Sequence, residues 1–212
     1  MITCQISVSL DGFVAGPDQS LDDPIGKGGL RLHEWIFGTA AWARMQGQQP
    51  TVAETPDSVV LEHAFDNVGA YIMGRHMFTA GRGEWDLTWR GWWGDDPPYH
   101  TPVYVLTHHP REPLVMQGGT TFNFVTEGIA AALEQATAAA DGRDVAIAGG
   151  ASTVNQYLAA GLLDELYIHL APVLLGAGER LLEDVGDPSL ELVSVVDSPA
   201  VTHIKYRVIR QP

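Results

Sequence analysis

The residues best suited to chemistry in this chain lie directly after short apolar segments. In the stretch VAIAGGASTVNQYL, an apolar run ends at Gly149 and Gly150, and an amphipathic segment begins at once. Glycines let a ligand approach the backbone closely, and the first turn of a helix offers free N–H groups to an anion. The pair therefore indicates a phosphate site, although tight packing of a helix against a sheet would explain it equally well.

Two further apolar segments end in side chains that bind phosphate or sugar. Gly74, Arg75 and His76 follow AYIM, and Thr107 and His108 follow PVYVL. The carboxyl ends of parallel strands meet at one edge of a sheet, which is where ligands bind in such folds. Each segment alone also fits an ordinary surface loop. Their recurrence at three strand ends favours a cradle for a phosphorylated, nucleotide-like cofactor, with Arg75 facing an extra phosphate.

Asp11 and Glu34 are the candidate catalytic residues for proton transfer. Asp11 directly follows the first predicted strand, where it equally fits a structural Asp-Gly turn. Glu34 lies in the first turn of a predicted helix, where the helix dipole favours a carboxylate for structural reasons alone. The sequence leaves both interpretations open.

Signatures of several other chemistries are missing from the sequence. There is no G-x-G-x-x-G after a strand, no Walker A lysine and no G-x-S-x-G elbow. The spacing of the histidines and of Asp95 and Asp96 matches no compact zinc pattern, so we expect no metal site. The phosphate cradle must then be assembled from several short segments.

Length and charge restrict the class of protein. With 212 residues the chain suits one domain, over residues 1–212, rather than two. A net charge of -14 argues against nucleic-acid or anionic-membrane partners. No basic region precedes the first apolar stretch and no apolar run is long enough to span a membrane, so we expect a cytoplasmic protein. Cys4 is the only cysteine and fits a small core residue.

Alternating strand and helix patterns predict an α/β domain with a mostly parallel sheet. We expect a helix over about 33–45 and an exposed insertion at 47–57. The tryptophan-rich loop EWDLTWRGWWGDDPPYH fits a cover over a site and equally fits a loop that packs its own aromatic side chains onto the core. Three closely spaced strands end the chain, at 165–174, 190–196 and 201–209. The last two predict an antiparallel hairpin at the C-terminal edge of the sheet.

Five segments, in this order along the chain, resemble the dihydrofolate reductase-like superfamily. The most similar branch contains the reductase domain of the bifunctional riboflavin-pathway deaminase-reductase. The resemblance covers nearly the whole chain and is most specific from GLLDEL to PVLLGAG. The segments are SLDGFVAG, YIMGRH, AGG, GLLDEL and PVLLGAG.

The resemblance implies a three-layer fold, with a central sheet of about eight strands, that binds NADPH across the strand ends. By position, Gly74, Arg75, His76, Thr107 and His108 would approach the adenosine phosphates. The pyrophosphate would rest on the segment from the glycine pair into the next helix. The loop after the first strand would cover the nicotinamide. The residues at the pyrophosphate would be Gly149, Gly150, Ala151, Ser152 and Thr153. Those of the loop over the nicotinamide would be Ser9, Val14, Ala15 and Gly16.

The sequence differs from the riboflavin-pathway pattern at two positions. Ala148 stands where glutamate usually precedes the glycine pair, and Phe13 stands where lysine or arginine usually follows SLDG. Both differences predict a less polar substrate pocket than that pathway uses.

The function expected is therefore an NADPH-dependent reductase of a small pyrimidine- or pteridine-like heterocycle. It resembles 5-amino-6-(5-phosphoribosylamino)uracil reductase. The alternative is a nucleotide-binding protein of the same fold with little or no catalysis. Apolar residues on both faces of the strand at 165–174 predict a homodimer. The resemblance implies the same, because related domains commonly form dimers.

Overall fold

A computed structural model describes residues 1–209, which contain eleven strands and six α-helices. The strands are β1 (Ile2–Ser9), β2 (Phe13–Ala15), β3 (Val68–Gly74), β4 (Pro102–Leu106), β5 (Leu114–Val115), β6 (Thr121–Val125), β7 (Asp144–Gly149), β8 (Glu165–Ala171), β9 (Glu179–Arg180), β10 (Ser189–Asp197) and β11 (Thr202–Ile209). The helices are α1 (Glu34–Phe37), α2 (Ala40–Met45), α3 (Pro56–His63), α4 (Arg75–Phe78), α5 (Ile129–Ala139) and α6 (Ala151–Ala159).

Nine strands form the central sheet in the order β10-β11-β8-β1-β7-β3-β4-β6-β5. The six strands from β8 to β6 are parallel. The antiparallel pair β10–β11 borders β8, which confirms the predicted C-terminal edge. At the opposite edge, the two-residue strand β5 pairs antiparallel with β6 and was not expected. A second small sheet joins β2 to β9.

Successive side chains of each strand point to opposite faces of the sheet, so the sheet has two distinct faces. Ala70 and Ile72 of β3 belong to the larger core under α5 and α6. Tyr71 and Met73, on the opposite face, pack with the aromatic side chains of the tryptophan-rich loop. Farther along that second face, a third cluster around Trp35 packs under the short helices α1 to α3. A groove lies on this face, bordered by the short helices and the tryptophan-rich loop.

The helix predicted over 33–45 is wrong as a single element, because it breaks after α1. Gly38 ends α1, and Thr39 adopts an extended backbone while its hydroxyl accepts a hydrogen bond from the N–H of Trp42. A threonine N-cap of this kind starts a new helix. A 3-10 turn, Gly29–His33, precedes α1.

The insertion is exposed over 47–55, except for a partly buried Pro50. Its end belongs to α3, which begins at Pro56 with Thr55 as the cap, so Asp57 is buried rather than exposed.

Strand β8 lies inside the sheet, between β1 and β11, and ends at Ala171 rather than at residue 174. Leu166, His169 and Ala171 of this strand are buried within the chain, and Tyr167, Ile168 and Leu170 are partly buried. The homodimer stays a prediction. No helix within residues 1–209 has the length and apolar character needed to cross a membrane.

Candidate active site

A groove of about 900 Å³ crosses the carboxyl ends of the parallel strands. Residues at or just beyond the ends of four of these strands, β3, β4, β6 and β7, line it together. The predicted cofactor residues that lie on its wall are Val14, Ala15, Gly74, Arg75, His76, Thr107, His108, Gly149, Gly150, Ala151, Ser152 and Thr153. The structure thus brings together the segments that the sequence predicts to converge. Their binding of a cofactor stays a prediction.

The glycine pair forms an open ledge where β7 leads into α6. Gly149 has φ +123°, a conformation that side chains rarely adopt, and the peptide bond between the two glycines is cis. Nothing lies within 4 Å of the position that a Cβ would take on Gly150. No described side chain caps the N-terminus of α6, so its first N–H groups remain open to a ligand in the groove.

Gly74, at the end of β3, is a glycine for a different reason. A Cβ at this position would lie 2.6 Å from the Oγ1 of Thr153 in α6. Close packing of helix and sheet therefore requires this glycine, whereas the space around Gly150 is free.

Arg75, which directly follows Gly74, provides a positive charge on the groove wall. Its guanidinium lies 3.9 Å from the centre of the Trp85 ring and donates to the backbone oxygen of Glu84 at 3.4 Å. Its Nε is buried and has no partner among the described residues, and burial lowers the pKa of the guanidinium. Other basic side chains line the same groove, namely Arg82, His76, His108 and His109. This concentration stands out in a chain of net charge -14.

Asp11 ties two loops together instead of lining the groove. Its carboxylate accepts hydrogen bonds from the hydroxyl of Ser9 at 2.6 Å and from the N–H groups of Leu175 and Gly176. The Ser9 bond above all, with the two backbone donors, lowers the pKa of Asp11 to about 2. Ser9 is itself fully buried, and its hydroxyl accepts from the N–H of Phe13. These contacts favour a structural role for both residues.

Gly16 and Glu34 also lie off the groove wall. A Cβ on Gly16 would overlap the backbone oxygen of Lys27, so close contact between two loops explains this glycine. Glu34 is exposed in the first turn of α1. The structure therefore brings neither predicted proton donor, Asp11 or Glu34, to the groove, and their catalytic roles stay predictions.

The half of the groove under the short helices is mainly aromatic and aliphatic. Its walls come from α1 to α3 and the loop that follows, and comprise Trp35, Ile36, Phe37, Trp42, Met45, Leu61 and Phe65. Its floor comes from alternate residues of β1, β3 and β7, including Thr3, Gln5, Ser7, Tyr71, Ala146 and Ala148. The amide of Gln5 donates to the backbone oxygen of Ala64 at 3.2 Å. Its Oε1 is buried without a partner in the described chain, which leaves one acceptor for a bound molecule.

A row of polar side chains on this floor escaped the sequence analysis. Ser7, His169 and His203 occupy adjacent positions on β1, β8 and β11. The Nδ1 atoms of the two histidines lie 2.8 Å apart, and the Nε2 of His203 lies 2.9 Å from a carboxylate oxygen of Asp57. The indole N–H of Trp35 donates to the Ser7 hydroxyl at 3.1 Å. Of these residues, Ser7, Trp35 and His169 reach the groove.

Burial determines the charge of His169. Desolvation, followed by the neighbouring His203 and His33, lowers the pKa of His169 to about 3. Burial likewise lowers the pKa of His33, which also lines the groove. Among residues 1–209 no group of three His, Cys, Asp or Glu side chains is arranged to hold a metal ion.

Comparison with known families matches residues 1–204 to the RibD C-terminal domain. The chain belongs to the RibD C-terminal domain family. Membership of this family makes the chain an oxidoreductase. No curated protein compared with it matches in sequence.

Solved structures share the fold of this RibD C-terminal domain. A riboflavin biosynthesis protein of Shewanella sp. PV-4 aligns over 99% of both chains, with 21% identity and a TM-score of 0.64. RibD of Acinetobacter baumannii aligns over 98% of this chain but only 57% of its own, with 18% identity and a TM-score of 0.57. Dihydrofolate reductase of Enterococcus faecalis, complexed with NADP(H), aligns over 98% of this chain and 96% of its own, with 15% identity and a TM-score of 0.53. The predicted dihydrofolate reductase-like fold is confirmed.

Proposed function

We propose that the chain is an NADPH-dependent reductase of a small, planar, pyrimidine- or pteridine-like heterocycle. The observation that carries this proposal is the continuity of the groove. One cavity joins an anion-accepting ledge and a basic end to an aromatic pocket with few polar groups. A long cofactor and a flat substrate need just such a combined site.

The residues present fit an extended dinucleotide. The open space at Gly150 and the uncapped N-terminus of α6 suit the pyrophosphate. The partnerless Nε of Arg75 suits an additional phosphate on the adenosine ribose. Val14 and Ala15, which line the groove from β2, suit the nicotinamide end. When bound, NADPH supplies a hydride; the protein orients it, shields it from water and delivers a proton to the substrate.

The substrate end is less polar than a phosphoribosyl pyrimidine requires. Ala148 places a methyl group, not a carboxylate, on the floor. Phe13 is buried, and the guanidinium of Arg180 lies 4.5 Å from its ring centre rather than in the groove. Among the polar groups of the floor, the Oε1 of Gln5 has no partner in the described chain and suits an N–H of a heterocycle. We therefore place an unphosphorylated or weakly polar ring in this pocket.

Two measurements on the full chain test the proposal. Calorimetric titration with NADPH and with NADH tests the cofactor site. Loss of NADPH absorbance is then followed with dihydropteridines, 5-amino-6-(5-phosphoribosylamino)uracil and quinones as second compounds. Oxidation that depends on one of these compounds supports the reductase. Tight NADPH binding without turnover across the panel supports the non-catalytic alternative, and absence of binding contradicts both.

A further inference from the structure

A reductase needs an acid at the substrate, and the groove offers one that is connected to a buried carboxylate. Adding a hydride to a carbon leaves charge on the neighbouring heteroatom, which a proton must neutralise. Asp11 and Glu34 do not line the groove, and the phenols of Tyr71 and Tyr99 have pKa values raised by burial. His169 lines the groove and is connected through His203 to Asp57.

We propose that Asp57, His203 and His169 form a proton relay, in which the Nε2 of His169 donates a proton to the substrate. The proposal rests on the reductase function proposed above and names the acid for that reaction. It also assigns a task to a buried charged cluster that packing alone does not require.

The donors and acceptors of Asp57, His203 and His169 determine the direction in which a proton moves along the relay. The carboxylate of Asp57 only accepts, so the Nε2 of His203 carries a proton toward it. The two Nδ1 atoms, 2.8 Å apart, must then share a single proton, because one has to donate while the other accepts. With its Nδ1 engaged, His169 has only Nε2 left for the groove, and no described residue bonds to that atom.

The location of the positive charge follows from the surroundings. Burial disfavours charge on His169 and lowers its pKa to about 3. The Nε2 of His203 lies 2.9 Å from the carboxylate of Asp57, so the proposal places the positive charge of the loaded relay on His203. The loaded relay therefore holds ionised Asp57, doubly protonated His203 and neutral His169 with its proton on Nε2.

The transfer balances in protons and charge. The N–H bond at Nε2 of His169 breaks as a bond to hydrogen forms on the substrate heteroatom. The shared proton moves from the Nδ1 of His203 to the Nδ1 of His169. His203 becomes neutral, still donating to Asp57, and the cluster changes from zero net charge to minus one. A proton entering from the groove at Nε2 reloads it along the same path.

Other titratable groups adjoin the relay on every side. His33 approaches from the turn before α1 and Tyr167 lies beside His169 on β8, with ring centres 5.1 Å apart. The ion pair of Lys205 with Glu165 joins β11 to β8 nearby. Among these groups His33 also lines the groove. His33 is therefore the rival acid that the experiment must separate from His169.

The experiment compares His169→Asn, Asp57→Asn and His33→Asn with a matched control, Asp66→Asn. Asp66 forms a His–Asp pair with His63, the last residue of α3, but that pair is exposed and does not line the groove. Asn at position 169 can still form a hydrogen bond to His203, but it lacks the N–H group that the Nε2 of His169 presents to the groove. We expect its kcat to fall by about 10² to 10⁴ while the Kd for NADPH stays within about twofold. Asp66→Asn should retain most of the activity, and His33→Asn should lose less kcat than His169→Asn.

Asp57→Asn separates a relay from a merely structural cluster. Without the carboxylate, the Nε2 proton of His203 loses its acceptor, so the pH profile of kcat should differ from that of wild type. Nitrogen-15 NMR of the histidine rings in the full chain gives a second readout that needs no substrate. It should show one proton shared by the two Nδ1 atoms in wild type, and a changed ring-nitrogen pattern for His203 in Asp57→Asn.

Three results overturn the relay: full kcat in folded His169→Asn, an unmoved pH profile in Asp57→Asn, or ring signals that show no shared proton. A wild-type chain that binds NADPH but turns over nothing contradicts the reductase instead. In that case the NMR measurement still decides whether the shared proton exists.

Discussion

The carboxylate of Asp11 accepts the N–H of Gly176 at 2.7 Å, a bond between residues 165 positions apart. It joins the loop that follows β1 to the loop that follows β8. The strands that follow these two loops, β2 and β9, contribute Val14 and Glu179 to the groove lining. We infer that Asp11 stabilises the shape of the groove although it does not line it, and that Asp11 takes no part in the reaction.

This relationship predicts a pH-dependent loss of stability in Asp11→Asn. The folded pKa, about 2, is below the ordinary value of 3.8. The stabilisation is therefore complete above pH 3.8 and is lost as the pH falls through about 2. We expect a lower Tm for the variant at neutral pH and a difference from wild type that narrows toward pH 2.

The control is Asp18→Asn, which removes an exposed pair with Lys27 and should change Tm little. If Asp11→Asn lost turnover at unchanged Tm, Asp11 would be a proton donor after all.

Arg75→Ala should weaken NADPH more than NADH. The guanidinium is proposed to face the additional phosphate, and a charge-assisted hydrogen bond is worth about 1.5–3 kcal/mol, or roughly tenfold to a hundredfold in Kd. Titration calorimetry with both cofactors measures the effect. Arg90→Ala is the control, because Arg90 pairs with Asp95 outside the groove and should leave both constants unchanged. Equal weakening of the two cofactors by Arg75→Ala would place the arginine elsewhere.

Gly74→Ala should destabilise the fold through contact with Thr153. The added Cβ would lie 2.6 Å from the Oγ1 of Thr153, so α6 or β3 must shift. Such overpacking typically costs about 1–3 kcal/mol. Denaturant unfolding should show this loss, and Thr153→Ala in the same chain should restore part of it. Additive effects of the two substitutions would show that the contact is not the cause.

A homodimer is the predicted assembly. The sequence bases this prediction on β8, which lies inside the sheet and whose side chains are buried or partly buried. The edge strand β10 instead exposes Leu192, Val193 and Val195, a row of side chains suited to pairing between copies. Sedimentation should give a mass near twice 22.9 kDa, and Val195→Lys should lower it. A mass near one chain contradicts the prediction.

The strand ends could be predicted from the sequence because local patterns determine them. Each apolar run ends in a glycine, hydroxyl or basic residue, and parallel strands place those ends together. The groove segments at Gly74, Thr107 and Gly149 were found in this way. Short elements such as β2 and β5 were missed, since two or three residues carry no periodicity.

The His169 cluster could not be predicted for a physical reason. Asp57, His169 and His203 are separated by more than thirty positions at each step. The two histidines meet through strand pairing, and Asp57 reaches His203 from helix α3. Asp57 lies in a polar segment that looks exposed. The break after α1 was missed as well. The apolar residues on both sides of Gly38 and Thr39 follow a helical spacing, and that spacing outweighed these two residues. Buried polar side chains at aligned strand positions are the signal that a search for such clusters needs.

The account depends most on where the dinucleotide lies. A crystal structure of the full chain grown with NADPH tests this directly. We predict density for the pyrophosphate against Gly149 to Thr153, for the adenosine phosphate beside Arg75, and for a nicotinamide that faces the pocket floored by Ser7 and His169. A structure in which NADPH lies outside this groove, or does not bind at saturating concentration, would contradict the account.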